Sequence, residues 1–292
     1  MTKLKYSFIE NRGILKVSGD DSVEFLQGLV SNNVRNISDN RAIYAALLTP
    51  QGKFLFDFFM YGWLNSIMIE MEAEQIETLT RKLNMYKLRA NVILEDVSEA
   101  WSVAVVWGQK SLASLELPET PGAVKFFQGA IVAVDPRLAA AGARVLLPRN
   151  TNPELPGHNA PPADYDIHRL ELALPDGSRD MVQEKTVLLE GGFDELHGID
   201  WEKGCYMGQE LTARTKYRGL IKKRLVSITT NGATPRAGAP IINDGKQVGE
   251  VRSGRAGRAL ALMRIECLDN LDATFTADGT TIFPKKPDWA VF

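Results

Sequence analysis

The sequence predicts an α+β protein that ends in a small β-barrel or sandwich. Three observations lead there. A chain of 292 residues exceeds the usual single core and implies two or three domains. Through its first two thirds, strand-like and helix-like stretches mix without the regular βαβ rhythm of a doubly wound sheet. After residue 220 the texture changes to short apolar runs between Gly, Asn and Asp turns, the pattern of a small barrel or sandwich. The expected division is a core over residues 1–220 and a barrel over 221–292.

GILKVSG reads as the opening strand. Asp21, with Glu24 three residues on, resembles a capping box, and Val23, Leu26 and Val30 recur at helical spacing, so SVEFLQGLV is expected as an amphipathic helix. AIYAALLTPQGKFLFDFFMYG has turn chemistry at TPQG between two apolar runs that suit paired strands. SIMIEM alternates like another strand, and residues 72–88 place Ile76, Leu79, Leu83 and Tyr86 on one helical face. VILEDV, WSVAVVW, AIVAV and ARVLL are strand-like. The Pro-rich stretch NTNPELPGHNAPPADY, near 148–165, is expected to be a loose connection. In the last part LVSITT, GAPIIND, QVGEVRSG, RALALMRI and ATFTAD are the expected barrel strands.

Composition excludes several function classes. The net charge of -2 gives no general attraction to nucleic acid or to an anionic membrane, so no direct sequence-specific nucleic-acid binding is expected. No apolar run approaches the ~18 residues of a membrane span. MTKLKYSFIENRG has mixed charges and no apolar signal core, so a cytoplasmic location is expected. Cys205 and Cys267 do not make a disulfide framework and imply free thiols. With His158, His168 and His197 they lack the paired spacings of a zinc or iron–sulfur site, so no tightly bound metal is expected. Cys205 could still lend one ligand to a cluster shared with a partner.

Four stretches could carry chemistry. In KGCYMGQELTAR, Gly204 and Gly208 permit left-handed backbone around Cys205, and the chain can turn helical from about Gly208 through Gln209, Glu210 and Arg214. A thiol before a helix start, two residues from Lys203, is biased toward thiolate; a buried, inert Cys fits the spacing equally well. The basic run Arg214, Lys216, Arg218, Lys222, Lys223 and Arg224 could hold an anion, though a solvated face is the plainer reading. In HRLELALPDG, Arg169 and Glu171 alternate with apolar residues and are expected on one side of a strand. A carboxylate there suits the adjacent N–H donors of a pterin, while a surface ion pair is the simpler alternative. Asp57 is a single acid in the apolar run KFLFDFFMY, a candidate general base.

GDDSVEFLQGLVSNNV, YAALLTPQGKFLFDFF, LNMYKLRANVILED, the DPR at 135–137 and above all KGCYMGQELTAR resemble the YgfZ-type folate-binding proteins, relatives of the aminomethyltransferase of glycine cleavage. RSGRAGRALALMR in the last part fits as well. The resemblance implies an aminomethyltransferase-like folate-binding fold of two interleaved α+β parts around a channel, closed by the barrel. It implies tetrahydrofolate as cofactor, with Glu171, Arg169, Tyr206, Gln209, Glu210 and Arg214 toward it. It implies a monomer that assembles or repairs iron–sulfur proteins through transient contacts with client or assembly proteins, indirectly supporting tRNA modification. Cys205 maps onto the family's essential thiol, at the rim of the channel; Lys203 beside it and Asp57 lining the channel are the other candidate catalytic groups. Phe56 and Asp57 stand where aminomethyltransferases carry two adjacent acids, which weighs against aminomethyl transfer. Folate-dependent one-carbon transfer and a non-catalytic adaptor docking through 214–224 are the competing readings.

Overall fold

The computed structural model describes residues 3–151, 154–269 and 273–292. The chain forms two compact units, neither continuous in sequence: Met1–Leu48, Phe56–Pro162 and His197–Met207 make the first, and Thr49–Leu55, Ala163–Leu196 and Gly208–Phe292 the second. The expected connection near 148–165 falls partly outside the described residues, at 152 and 153; its described part carries a short strand and the start of a helix.

The first unit begins with β1 (Lys5–Phe8), β2 (Arg12–Ser18), α1 (Ser22–Gln27), β3 (Ile43–Leu48) and, after its first two residues, β4 (Phe54–Trp63). It continues through β5 (Ser66–Glu72), α2 (Ile76–Lys87), β6 (Ile93–Asp96), β7 (Trp101–Trp107) and α3 (Ser111–Ser114). It ends with β8 (Val124–Phe127), β9 (Ala130–Val134), β10 (Ala143–Pro148) and β11 (His158–Asn159). One sheet runs β3-β4-β5-β2-β6 and the other β11-β1-β7-β10-β9-β8. In β3 and most of β4 both faces are buried, which explains their continuous apolar runs. Ile76, Leu79 and Leu83 bury the expected face of α2.

The capping box expected at Asp21 is not formed. Asp21 carries no side-chain cap bond; its carboxylate accepts the Asn91 N–H at 2.7 Å. Glu24 takes Arg35 instead, at 2.8 and 2.9 Å. The helix stops at Gln27 rather than running to Val30, and Val23 is exposed.

The second unit holds α4 (Pro162–Glu171) after its first residue, α5 (Gln209–Tyr217) and the barrel. The barrel strands are β12 (Lys223–Thr230), β13 (Pro240–Asn243), β14 (Lys246–Arg255), β15 (Arg258–Arg264), β16 (Phe275–Ala277) and β17 (Thr280–Lys285). They close in the order β12-β15-β14-β13-β16-β17, so the sheet has no free edge. Val226, Ile228, Ile241, Val251, Met263 and Phe275 belong to its core. The strand β17 was not among those expected: TTIFPK has weak alternation and a proline, and only pairing to β12 and β16 makes it a strand.

The turn at TPQG forms as expected: the Gly52 N–H donates to Thr49 O and the Thr49 N–H to Lys53 O, both at 2.8 Å. Gly52 has φ +81, and a Cβ there would lie 2.6 Å from the Gly208 carbonyl oxygen. The turn therefore needs glycine twice over, for its backbone and to seat against the start of α5.

The strand expected across HRLELALPDG is a helix. Pro162 supplies the fixed φ that suits a first helical turn. Residues two apart on a helix diverge by about 200°, so Arg169 and Glu171 do not share a side. Arg169 is buried and holds Asp166 at 2.8 Å, Asp180 at 2.6 Å and Ser253 at 2.6 Å. Glu171 is exposed and pairs with Arg258 at 2.6 Å. In this arrangement Arg169 ties α4 to the barrel.

Candidate functional site

The thiol lies on a segment clipped to the region after α1. The Asp200 N–H donates to Ser31 O and the Met207 N–H to Gly28 O, both at 3.1 Å. Ser31 Oγ donates to Gly198 O at 2.6 Å, and Asn32 Nδ2 to Tyr44 O and His197 O at 2.7 Å each. Between these anchors Lys203 turns inward. Its buried ammonium donates to Gln27 O at 2.7 Å and to Val30 O, two carbonyls left open where α1 ends. Gln27 answers by donating from Nε2 to Lys203 O at 3.3 Å.

This assigns Lys203 a different part from the one expected. The ammonium was read as a neighbour that favours thiolate; its hydrogen bonds go to the main chain, and it packs 4.9 Å from the Tyr206 ring centroid. Burial lowers its pKa to about 8, with Asp200 opposing and Arg35 adding to the shift. Gly204 and Gly208 are both left-handed, at φ +88 and +80, as the spacing suggested. Nothing lies within 4 Å of a Cβ at Gly204, so its requirement is backbone conformation alone. The outcome is an exposed, free Cys205 on a loop pinned immediately before it. The buried-filler alternative is excluded.

The segment that leads to Cys205 also walls a cleft of about 470 Å³ in the first unit. His197, Asp200 and Trp201 line it from this segment, with Asn32, Arg41 and Tyr44 from the N-terminal part. His197 adopts φ +56, a conformation few non-glycine residues take. At the floor Tyr44 donates from its hydroxyl to Asp57 at 2.8 Å, deep in the core. Burial, then the Asp57 charge, pushes the Tyr44 phenol well above its ordinary range. Asp57 is thus a buried acceptor behind a cleft residue.

Behind it lies a charged layer that the sequence reading missed. Arg137 stacks on Tyr44 and Phe59, at 5.5 and 4.8 Å, and forks onto Asp135. Arg144 lies 4.0 Å from the Phe59 centroid and binds Glu70. Fully buried Glu70 also receives Arg12 at 3.0 Å and the Tyr61 hydroxyl at 2.9 Å. Burial alone would raise its pKa; Arg144 and Arg12 overcome that and hold it at about 2. The available signal was an acid inside the apolar run SIMIEM, the same signal that singled out Asp57.

Cys205, Lys203, Tyr206 and Asp57 fall in the first unit, whereas Arg169, Glu171, Gln209, Glu210 and Arg214 fall in the second. Gln209 opens α5. Glu210 and Arg214 are exposed one turn apart, at 3.9 Å. Of the basic run, Arg224 is buried against Asp194 at 2.7 Å, while Arg214, Lys216, Arg218, Lys222 and Lys223 face solvent. Among the described residues no group of three or more His, Cys, Asp or Glu is arranged to hold a metal.

The sheets and barrel define a protein with an aminomethyltransferase-like fold. The GCVT N-terminal domain model matches residues 9–129, and the CAF17 C-terminal beta-barrel domain model matches 222–292. The glycine cleavage system aminomethyltransferase T of Bartonella henselae superposes with a TM-score of 0.76, over 99% of this chain and 87% of that one, at 16% identity. The iron-sulfur cluster assembly factor IBA57 of Homo sapiens is 32% identical, over 96% of this chain and 84% of that protein. The chain belongs to the CAF17/IBA57 family of iron–sulfur cluster assembly factors. The Mycosarcoma maydis IBA57 homolog is 30% identical over 77% of this chain, which spans only 57% of that relative's length. The cytoplasmic expectation does not stand: the relatives from Homo sapiens, Mycosarcoma maydis and Neurospora crassa are mitochondrial proteins.

Proposed function

We propose that this chain is a reduced-folate-binding factor for the assembly or repair of iron–sulfur proteins, with Cys205 as its working thiol. Effects on tRNA modification would arise through a client enzyme. The observation that carries the reading is the exposed Cys205 on a clipped, doubly left-handed loop that directly follows cleft-lining residues. A rigid backbone that presents a lone thiol to solvent suits hand-over to a partner better than a private site. Cys205 contributes one cluster ligand, or its thiolate takes the outer sulfur of a partner's cysteine persulfide, whose inner sulfur leaves as thiolate; the remaining cluster ligands come from the client or assembly protein. Replacing Cys205 with Ala should abolish support of an iron–sulfur enzyme in cells that lack the native factor, with protein level unchanged. Full support by that variant would end the proposal for the thiol.

Three groups in the cleft support a reduced folate as its ligand. Trp201 offers a half-exposed ring to stack on a flat heterocycle. Asp200 can accept from paired N–H groups, and exposed Arg41 can hold a glutamyl carboxylate. The ligand would supply one-carbon chemistry; the protein's part is to hold it near the thiol-bearing segment. Tetrahydrofolate should raise apparent stability by ~2.7 kcal/mol at a hundredfold excess over its dissociation constant, and Asp200→Asn should lose most of that gain. Loss in Glu171→Gln instead would return the pterin to the position that the resemblance implies. No thermal shift in the unaltered protein would remove folate from the reading.

A further inference from the structure

The outer wall of the barrel gathers positive charge that the chain neutralises only in part: Glu266 pairs with Arg264 at 3.2 Å and Glu250 with Arg252. Strand alternation turns Val226, Ala261 and Met263 into the core, so Lys223, Leu262 and Arg264 point outward. Lys223 and Arg264 are direct cross-strand partners, a like-charge pair that works against the ladder. Arg252 joins them from β14, where pairing with β15 shifts register between Val251 and Gly254. Such a bulge re-aims the side chains it carries. Together with Gln247 and Glu250, the three cations line a cleft of about 240 Å³. Glu250 occupies one end of Arg252, at 2.6 Å. The Arg252 Nε is buried without an acceptor, and Lys223 has none among the described residues. The chain reaching Lys223 extends the field: Arg214, Lys216, Arg218 and Lys222 are exposed, and residues 211–223 contain no acid. Tyr217 and Leu220 stand out among them, 73% and 51% exposed.

We propose that this face docks an acidic peptide segment of a partner protein, with one carboxylate seated among Lys223, Arg252 and Arg264. A guanidinium pair around a small cleft matches a carboxylate in geometry and charge. The cleft is smaller than the ~300 Å³ at which small-molecule sites begin, so it suits a single side-chain carboxylate. Tyr217 and Leu220 offer apolar contact to residues flanking the acids. The like-charge pair is then the cost of the site: Glu266 offsets only its Arg264 side in the free protein, and a carboxylate lying between Lys223 and Arg264 relieves the rest.

The test is fluorescence anisotropy of the full chain at physiological salt, with a fluorescein-labelled Glu/Asp peptide flanked by Gly-Ser. A Gln/Asn copy and single-stranded oligouridylate serve as competitors. The acidic peptide should bind, and Lys223→Glu or Arg252→Gln should weaken it about tenfold or more. Lys223→Glu also creates an opposite-charge pair with Arg264, so its thermal midpoint should not fall. Unaltered peptide affinity in both variants, equal binding of the Gln/Asn copy, or tighter binding of the oligouridylate would each overturn the proposal.

Discussion

Glu70→Gln is expected to lower stability by about 3–5 kcal/mol, the usual cost of removing one partner from a buried ion network. Glu70 is fully buried, and the side chains of Arg12 and Arg144 that converge on it are each 5% exposed. Without the carboxylate Arg12 loses its ion pair with Glu70, and Arg144 is left with the more distant Asp135, at 3.7 Å. Urea unfolding followed by tryptophan fluorescence should read the loss, because Trp63, Trp101 and Trp107 all lie in the first unit. The pH dependence gives a second check. The folded pKa of Glu70, about 2, lies below its ordinary 4.5. Its contribution is therefore present above about pH 4.5 and is lost as pH falls toward 2. Acid should weaken Glu70→Gln less steeply than the unaltered chain across that window. Equal slopes would show that other carboxylates, Asp135 among them, dominate acid unfolding.

Lys203→Met should have the second largest effect, on the order of 3 kcal/mol, because two buried carbonyls lose a charged donor. Hydrogen exchange should quicken first at the amides of Asp200 and Met207, whose bonds clip this segment down. The sign of the pH effect is distinctive. With a folded pKa near 8 against an unfolded value near 10.5, the unfolded chain holds a proton that the folded one lacks between those values. Stability therefore rises with pH through that window, and the neutral amine still has N–H groups for both carbonyls. The methionine variant should lose that rise. If exchange at the two amides is unchanged, Lys203 is not what fixes the loop.

Features with local chemistry were legible in the sequence. The TPQG hairpin, the face of α2, the left-handed glycines around Cys205 and five of the barrel strands each depend on neighbours in sequence. Features made by distant partners were not. Arg12, Glu70 and Arg144 form one buried cluster from three strands, and no spacing connects them. Lys203 looked like a thiol's neighbour because only sequence distance was visible, and its true partners are 173 and 176 residues away. The helix α4 was misread for a local reason. Pro162 closes a Pro-rich stretch that reads as loop, and Leu170-Glu171-Leu172 imitates strand alternation. Cofactor and clients entered through resemblance alone.

The discontinuous units bear on how the protein is made. The main chain passes between them at five points along its length. The amide of Phe54 donates to the carbonyl of Thr186, and the amide of Glu184 to that of Phe54. At a synthesis rate of about 5–20 residues per second, the beginning of β4 waits many seconds for that partner. Until then an apolar strand stands without part of its pairing, which exposes the nascent chain to aggregation. Cutting the gene at the start of the barrel would leave the upstream product with this strand correctly paired, but its second unit without a core. Neither unit can be produced by simple truncation, and chaperone demand during translation should be greatest between the synthesis of the hairpin and that of residues 184–186.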